Sequence, residues 1–347
     1  MIFRVPYHVS IAFALLLTLV PHHCGADAAT NELARFEYQR PEMGMPFRMV
    51  LYAPNQGSAD LAAEAAFQRI KQLNDIMSDY DADSELSKLS ATSGSGRPVP
   101  VSADLWFVLA RAQDLAKQSH GAFDITVGPF VNLWRRARRQ HQLPDPERLA
   151  EARKAVGYEH VKLRPKGHTV ELLVPNMKLD LGGIAKGYAI GEALNTLRKQ
   201  HIDRALVEGG GDVAVSDPPP GKKGWRFELS SLDITNAPPE RFLSLRNCAI
   251  STSGDLYQRL EINGKRYSHI VDPKTGIGLT DHSLVNIIAP DSITADSLTK
   301  VVSVLGPENG LRFVERIPHV AARVMRAPAG HLEMRESGGF SQYYDRR

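Results

Sequence analysis

Leu179-Asp180-Leu181-Gly182-Gly183-Ile184-Ala185-Lys186-Gly187 reads as the end of a strand that passes at once into a helix. Leu172, Val174, Met177 and Leu179 supply apolar positions ahead of it. From Ile184 onward, Ala185, Tyr188, Ala189, Leu194 and Leu197 recur at helical spacing. Glycine lets another group approach the backbone. A helix N-terminus offers free N–H groups and the positive end of a dipole. The junction is therefore an expected anion site suited to phosphate. Lys186 adds a positive charge, and Asp180 stands where it can hold a metal, a ribose or a base donor. The same nine residues also satisfy a tight turn with no ligand, and both readings stand at this point.

Working outward, 347 residues allow one large domain or two. A composition of 43% hydrophobic and 23% charged residues is ordinary for a globular protein. A net charge of +3, with no aromatic–basic repeat and no CxxC pair, gives no support to a nucleic-acid partner. The start of the chain reads as an export signal. Arg4 is a short basic region, Ile11 to Val20 is an apolar run, and Ala26-Asp27-Ala28 is an A-x-A cleavage site. The expected layout is a signal peptide over 1–28, a domain over 36–335 and a C-terminal tail over 336–347. A lipid-modified Cys24 is the alternative processing. Cleavage after Ala28 leaves Cys248 as the one cysteine, so no internal disulfide can form.

Phe47 to Tyr52 predicts a first strand. Ser58 is the expected cap of a helix facing inward through Leu61, Ala65, Ile70, Leu73 and Met77. The helix runs out in the carboxylate-rich segment Ser78 to Leu86, whose bland reading is a polar connection. Ser102 caps a second helix with Leu105, Val108, Leu109, Ala112 and Leu115 inward, and Gly121 ends it. Gly121-Ala122-Phe123-Asp124 follows, good material for a flat ring to lie against, or one more buried loop. Arg135, Arg136, Arg138 and Arg139 read as a solvated helix face or as a contact for an anionic partner or a membrane surface. Pro146 opens a helix through Ala155. Further strands are predicted at Arg204–Val207, Trp225–Leu229, Cys248–Ser251, Ser283–Ala289, Ala321–Met325 and His331–Glu336.

Asn263-Gly264, between Tyr257–Ile262 and Lys265–Ile270, is a type I′ hairpin signal. The hairpin delivers His269, three residues before Asp272. Asp291 to Leu305 predicts a helix carrying Asp296, with a second helix over Pro307 to Arg316. Glu208-Gly209-Gly210-Gly211-Asp212 is not GxGxxG, and no GxxxxGK[ST] occurs, which argues against a Rossmann site or a P-loop. Strands and helices mix without a regular βαβ rhythm, so the expected class is α+β.

Seven blocks, in order, resemble the ApbE family of FAD:protein FMN transferases. They begin at Met77, Gly121, Leu179, Gly210, Thr252, Tyr267 and Ala295 and cover roughly Phe36 to Arg335. The resemblance implies an ApbE-like, T-fold-like arrangement of mixed sheets with packed helices, one large domain of two subdomains. It also implies that FAD is cleaved with Mg²⁺ and that FMN is joined to a Thr or Ser of an exported flavoprotein. By the same resemblance, Met43, Tyr80, Ala122, Phe123 and Asp124 would surround the flavin and adenine, and Asp180 and Lys186 would hold ribose and phosphate. Gly183 would offer its carbonyl, and Asp296 a carboxylate, to the metal. His269 would take the target hydroxyl's proton, with Ile270 and Asp272 beside it. Phosphoryl transfer asks for positioning and charge neutralisation more than covalent work, and hard Mg²⁺ prefers oxygen ligands.

One position departs from the pattern. The family usually has Thr or Asp four residues after the metal aspartate, where this chain has Lys300 beside Thr299. Helical spacing puts Lys300 on the face of Asp296. An ammonium cannot ligate a cation. Either it neutralises Asp296 in the metal's place, or it points to solvent while Thr299 or water completes an ordinary site. The alternatives to transfer are an FAD pyrophosphatase that releases FMN and AMP, and a periplasmic FAD-binding protein without turnover.

Overall fold

The computed structural model describes residues 32–229, 231–232, 241–254, 259–328 and 331–345. The expected signal peptide, its cleavage site and Cys24 lie outside them, as do Asp255 and Tyr257. Leu33–Arg347 forms one compact unit.

The main sheet has eight strands, all antiparallel. In chain order they are β1 (Ala34–Glu42) and β2 (Met45–Ala53), then β6 (Ala205–Gly209), β7 (Asp212–Val215), β10 (Cys248–Gly254), β13 (Ser283–Ala289), β14 (Ala321–Arg326) and β15 (Glu333–Glu336). Their order across the sheet is the same as their order in the chain. Three smaller sheets complete the strands: β3 (Val99–Pro100), β4 (Val161–Arg164) and β5 (Thr169–Leu172) as a triplet, β8 (Trp225–Glu228) with β9 (Phe242–Leu245), and β11 (Arg259–Ile262) with β12 (Lys265–Ser268). The helices are α1 (Gln56–Met77), α2 (Glu85–Ala91), α3 (Ala103–Gln118), α4 (Gly128–Gln140), α5 (Pro146–Arg153), α6 (Ala185–Lys199) and α7 (Ser292–Val314). The last breaks at Gly306-Pro307, where Gly306 has φ 75°.

The main sheet is covered on both faces, and side-chain alternation with period two decides which residue goes where. Met49, Leu51, Val207, Ala214, Ala249, Val285 and Ile287 face the large core shared with α1, α3, α6 and α7. Their neighbours Val50, Leu206, Val213, Val215, Ile250 and Ile288 face a second core built with Trp225, Leu243, Leu245 and Phe340. The segment after Arg335, expected as a tail, is part of that second core. Phe340 is fully buried, and the Asp345 N–H donates to the Phe242 carbonyl.

Four local expectations change. Helix α1 is capped by Asn55, whose side chain accepts the Ser58 N–H at 2.9 Å, so the helix starts earlier than Ser58. Its buried stripe is then Ala59, Ala62, Ala63, Ala66, Phe67, Ile70, Leu73 and Met77, and Leu61 is exposed. Leu115 is only half-buried on α3, where Gln113 and Ala116 turn inward instead. No strand runs up to Leu179. The sheet ends at Leu172, and Lys178 makes one isolated parallel bridge with Val127. The extended chain is held there by the Asp180 N–H to the Ile125 carbonyl, 2.8 Å.

Helices α6 and α7 touch closely at Gly187. A Cβ there would stand 2.3 Å from the Ser292 carbonyl oxygen and 2.6 Å from Asp296 Cβ. Ser292 Oγ donates to the Gly187 carbonyl at 2.6 Å across the contact. Gly187→Ala should therefore separate the helices and lower stability by about 1–3 kcal/mol, as overpacking does. Gly338→Ala, at a site with no neighbour within 4 Å of the added carbon, should be nearly neutral. Urea unfolding midpoints measure both, and equal midpoints would show that the crossing tolerates a methyl group.

Candidate active site

The close crossing places Asp296, on the first turns of α7, against the first turn of α6. Asp296 is fully buried. Its Oδ2 accepts the Gly187 N–H at 2.9 Å, and its Oδ1 lies 2.5 Å from Lys300 Nζ. The N-terminus of α6 is thus already partly occupied by a carboxylate of this chain. Leu181 accepts the N–H groups of Ile184 and Ala185, and Asp296 accepts that of Gly187, two residues beyond Ala185. A carboxylate at a helix N-terminus is favourable in itself. Burial pushes the Asp296 carboxyl up, but Lys300, Lys186 and the Gly187 N–H outweigh it and hold it below the ordinary range.

Lys186 projects from the same turn of α6 to Asp212, on β7. Its Nζ lies 2.6 Å from Asp212 Oδ2 and 3.2 Å from the Gly210 carbonyl oxygen. Burial would lower the Lys186 pKa, yet Asp212 and Asp296 raise it above the ordinary value. Asp212 in turn accepts the Ser251 hydroxyl from β10 at 2.5 Å. Burial pushes the Asp212 carboxyl up, partly countered by Lys186. Lys186, Asp212, Asp296 and Lys300 form one buried set of two cations and two anions.

The stem of Lys300 passes Gly183. A Cβ at Gly183 would stand 3.3 Å from Lys300 Cγ and 3.3 Å from Phe123 Cε2. The charged set therefore borders the Gly121–Asp124 turn, where Ala122, Phe123 and Asp124 are all buried. Asp124 Oδ1 accepts both the N–H and the hydroxyl of Thr126, at 2.8 and 2.7 Å. Its role is to hold that turn, and burial raises its pKa. Met43 sits at the β1–β2 turn with φ 50° and packs, half-buried, on the large core.

A second cluster surrounds Asp180, which is nearly buried. Its Oδ1 accepts the Gly182 N–H at 2.8 Å, and Arg135 Nη2 reaches its Oδ2 at 3.1 Å. Arg135 also pairs closely with Asp79 through Nη1. The guanidinium carbon lies 4.1 Å from the centre of the Tyr80 ring, while Tyr80 itself is 80% exposed. Of the four arginines read as one face of α4, Arg136 and Arg139 are exposed and Arg135 is built into the site. The sequence signal that it differs is weak: it stands beside Trp134, on the edge of the buried face.

The third element is the loop after β12. His269 is half-buried there, directly after Ser268, whose hydroxyl accepts the Ile270 N–H at 3.1 Å. Asp272 accepts the Lys274 N–H at 2.8 Å and the Thr275 hydroxyl at 3.1 Å, so its carboxylate folds the loop. Trp134 Nε1 donates to the Gly276 carbonyl at 2.8 Å. Helix α4 thus docks the His269 loop with Trp134 and the Tyr80–Asp180 cluster with Arg135.

The residues expected to hold Mg²⁺ do not fit one as they stand. Hard cations need oxygen ligands. Both Asp296 oxygens are engaged, and an ammonium stands 2.5 Å from Oδ1. The solvent-pointing alternative for Lys300 is overturned by that ion pair. Among the described residues no group of three His, Cys, Asp or Glu gathers to hold a metal.

Comparison with known proteins places this geometry. The chain belongs to the ApbE family, whose sequence profile matches residues 43–324. A protein of Treponema pallidum named FAD:protein FMN transferase is 33% identical over 89% of this chain and 92% of its own length. One of the same name from Haemophilus influenzae is 32% identical over 80% of this chain and 83% of its own. The solved flavin transferase ApbE of Vibrio cholerae superposes with a TM-score of 0.79 at 27% identity, covering 90% of this chain and 99% of its own. The apo flavinyl transferase ApbE of Pseudomonas stutzeri gives 0.80 at 25% identity, covering 91% and 98%.

Removal of Arg135 tests the second cluster. Burial and the charge of Asp79 already raise the Asp180 pKa, and Arg135 opposes them. A carboxylate whose folded pKa lies above its unfolded value costs stability as pH rises through that window. Arg135→Met removes the opposing charge, so its destabilisation should be about 3 kcal/mol near pH 7 and should shrink as pH falls into the acid range. Urea melts at neutral and acid pH give the two gaps, and equal gaps would remove the charge explanation.

Proposed function

We propose that this chain is an FAD:protein FMN transferase acting on a Thr or Ser of an exported flavoprotein. The observation that carries the reading is the match to curated transferases along nearly the whole chain. The grouping of Phe123, Gly183, Lys186 and Asp180 around one segment supports it.

In this reading Tyr80 offers an exposed aromatic face for a flat ring, with Arg135 fixed against its other side. Met43, Ala122 and Phe123 supply apolar wall, and Asp124 keeps the turn that presents it. Asp180 meets ribose, and Lys186 and Lys300 supply positive charge to the pyrophosphate. The acceptor hydroxyl attacks the FMN phosphorus. A new P–O bond forms, the bond from that phosphorus to the bridging oxygen breaks, and AMP leaves with the oxygen. The hydroxyl proton goes to the His269 imidazole, acting as general base. Ile270 and Asp272 hold the loop that positions the ring. Fixed positive groups that meet charge as it develops lower the barrier without reorganising.

His269→Ala should keep FAD bound and lose on the order of 10²–10⁴ in transfer rate. Mass spectrometry of an acceptor flavoprotein reads the added FMN. Free FMN plus AMP from the unmodified enzyme, with nothing on the acceptor, would make it a hydrolase, and unchanged FAD would make it a binder. Near-normal transfer by the variant would take His269 out of the reaction.

The same reading includes export. The Arg4 region, the apolar run to Val20 and Ala26-Asp27-Ala28 support it. Mature protein from its native host should begin near Ala29 by intact-mass measurement. A retained Met1 would refute export, and a diacylated Cys24 would replace it with a lipid anchor.

A further inference from the structure

The set behind Gly183 is neutral overall, with Asp212 Oδ2 buried and facing Lys186 without a formed hydrogen bond. Lys186 and Lys300 balance Asp212 and Asp296, and each carboxylate has an ammonium within 2.6 Å. Asp296 gives Oδ1 to the Lys300 ammonium, and its Oδ2 accepts the Gly187 N–H. A divalent ion here would have to displace Lys300 from Asp296 or share the carboxylate with it. Like charges at that spacing repel strongly where solvent does not screen them. The Lys300 side chain keeps 18% of its surface exposed, and its stem passes Gly183, where an added Cβ would stand 3.3 Å from Lys300 Cγ. An ammonium carries three donors. Asp296 takes two, through Oδ1 at 2.5 Å and its backbone carbonyl at 3.4 Å, which leaves one for a phosphate oxygen.

We propose that Lys300 takes the place of a divalent metal in this chain, meeting the FAD pyrophosphate with a covalently attached positive charge. The inference rests on the transferase reading for its ligand. Lys300 is a point charge and imposes no octahedral geometry on its partners. It supplies charge neutralisation, while orientation is left to Phe123, Asp180 and Lys186. The bonds made and broken are those of the transfer itself, and no further reactant is needed.

The test uses the mature full-length protein. FAD affinity is measured by flavin fluorescence in EDTA and again in excess MgCl₂. Manganese binding is followed in parallel by electron paramagnetic resonance, with FAD present. The unmodified chain should bind FAD equally in both buffers and should hold no stoichiometric Mn²⁺. Lys300→Thr should lose about tenfold or more in FAD affinity in EDTA, roughly the weight of one charged contact. That variant should regain the affinity with Mg²⁺ and should now bind Mn²⁺. The measurements on the unmodified chain decide even where the variant fails to fold. FAD binding by the unmodified chain that collapses in EDTA, or one tightly held Mn²⁺, would overturn the role of Lys300 and leave the transferase reading standing. Absence of FAD binding in both buffers would remove both.

Discussion

The hydrogen bond from the Gly187 N–H to the Asp296 carboxylate is the contact on which the rest of the site depends. It exists because two helices meet at a residue without a side chain, with Ser292 bonded across the same contact. A fully buried carboxylate is costly unless it is paired and hydrogen-bonded. Lys300, one turn on, answers that need from the same helix. Lys186 answers it from the other helix and must itself be balanced, which Asp212 does from β7. Asp212 then draws the Ser251 hydroxyl from β10. One buried charge thus ties two helices to two neighbouring strands of the main sheet.

Helix α4 performs the corresponding task on the other side of the Leu179–Gly187 segment. Phe130 and Trp134 lie one turn apart and bury against Tyr267 and Val271 at the hairpin of the His269 loop. Arg135, next along, reaches Asp79 and Asp180 and lies against Tyr80. Three separate sequence blocks therefore converge through a helix that belongs to none of them. That helix is read from sequence as a basic face, solvated or meeting an anionic partner, and two of its four arginines, Arg136 and Arg139, are exposed. The exception, Arg135, is decided by two carboxylates distant in sequence.

Charge distribution separates the two clusters. Around Asp180 two carboxylates share one arginine, and burial together with the Asp79 charge pushes the Asp180 pKa up. Behind Gly183 the charges cancel, and Asp296 remains ionised below the ordinary range despite complete burial. An anionic group that approaches the segment is repelled by the first and met by the lysines of the second. The polarity of the site runs along the nine residues from Leu179 to Gly187.

Much of this was legible in the chain before any coordinates. The apolar run Ser283–Ala289 marked a strand, Asn263-Gly264 marked the hairpin, and Ser102 marked a helix start. Each of these is fixed by residues a few positions apart, so local sequence determines it. Seven motif blocks in order likewise carried the family and the α+β class. The positions misread were those settled by distant neighbours. Leu61 faces solvent because the alanine stripe of α1, not Leu61, packs inward on the core. The strand expected up to Leu179 is a single bridge because its partner is the start of α4. Sequence alone placed Lys300 one turn from Asp296. That its ammonium turns inward, past Gly183 and onto a buried carboxylate, was decided by the tertiary structure. The energy of that arrangement comes from burial, and burial is a property of the packed chain rather than of any stretch of it.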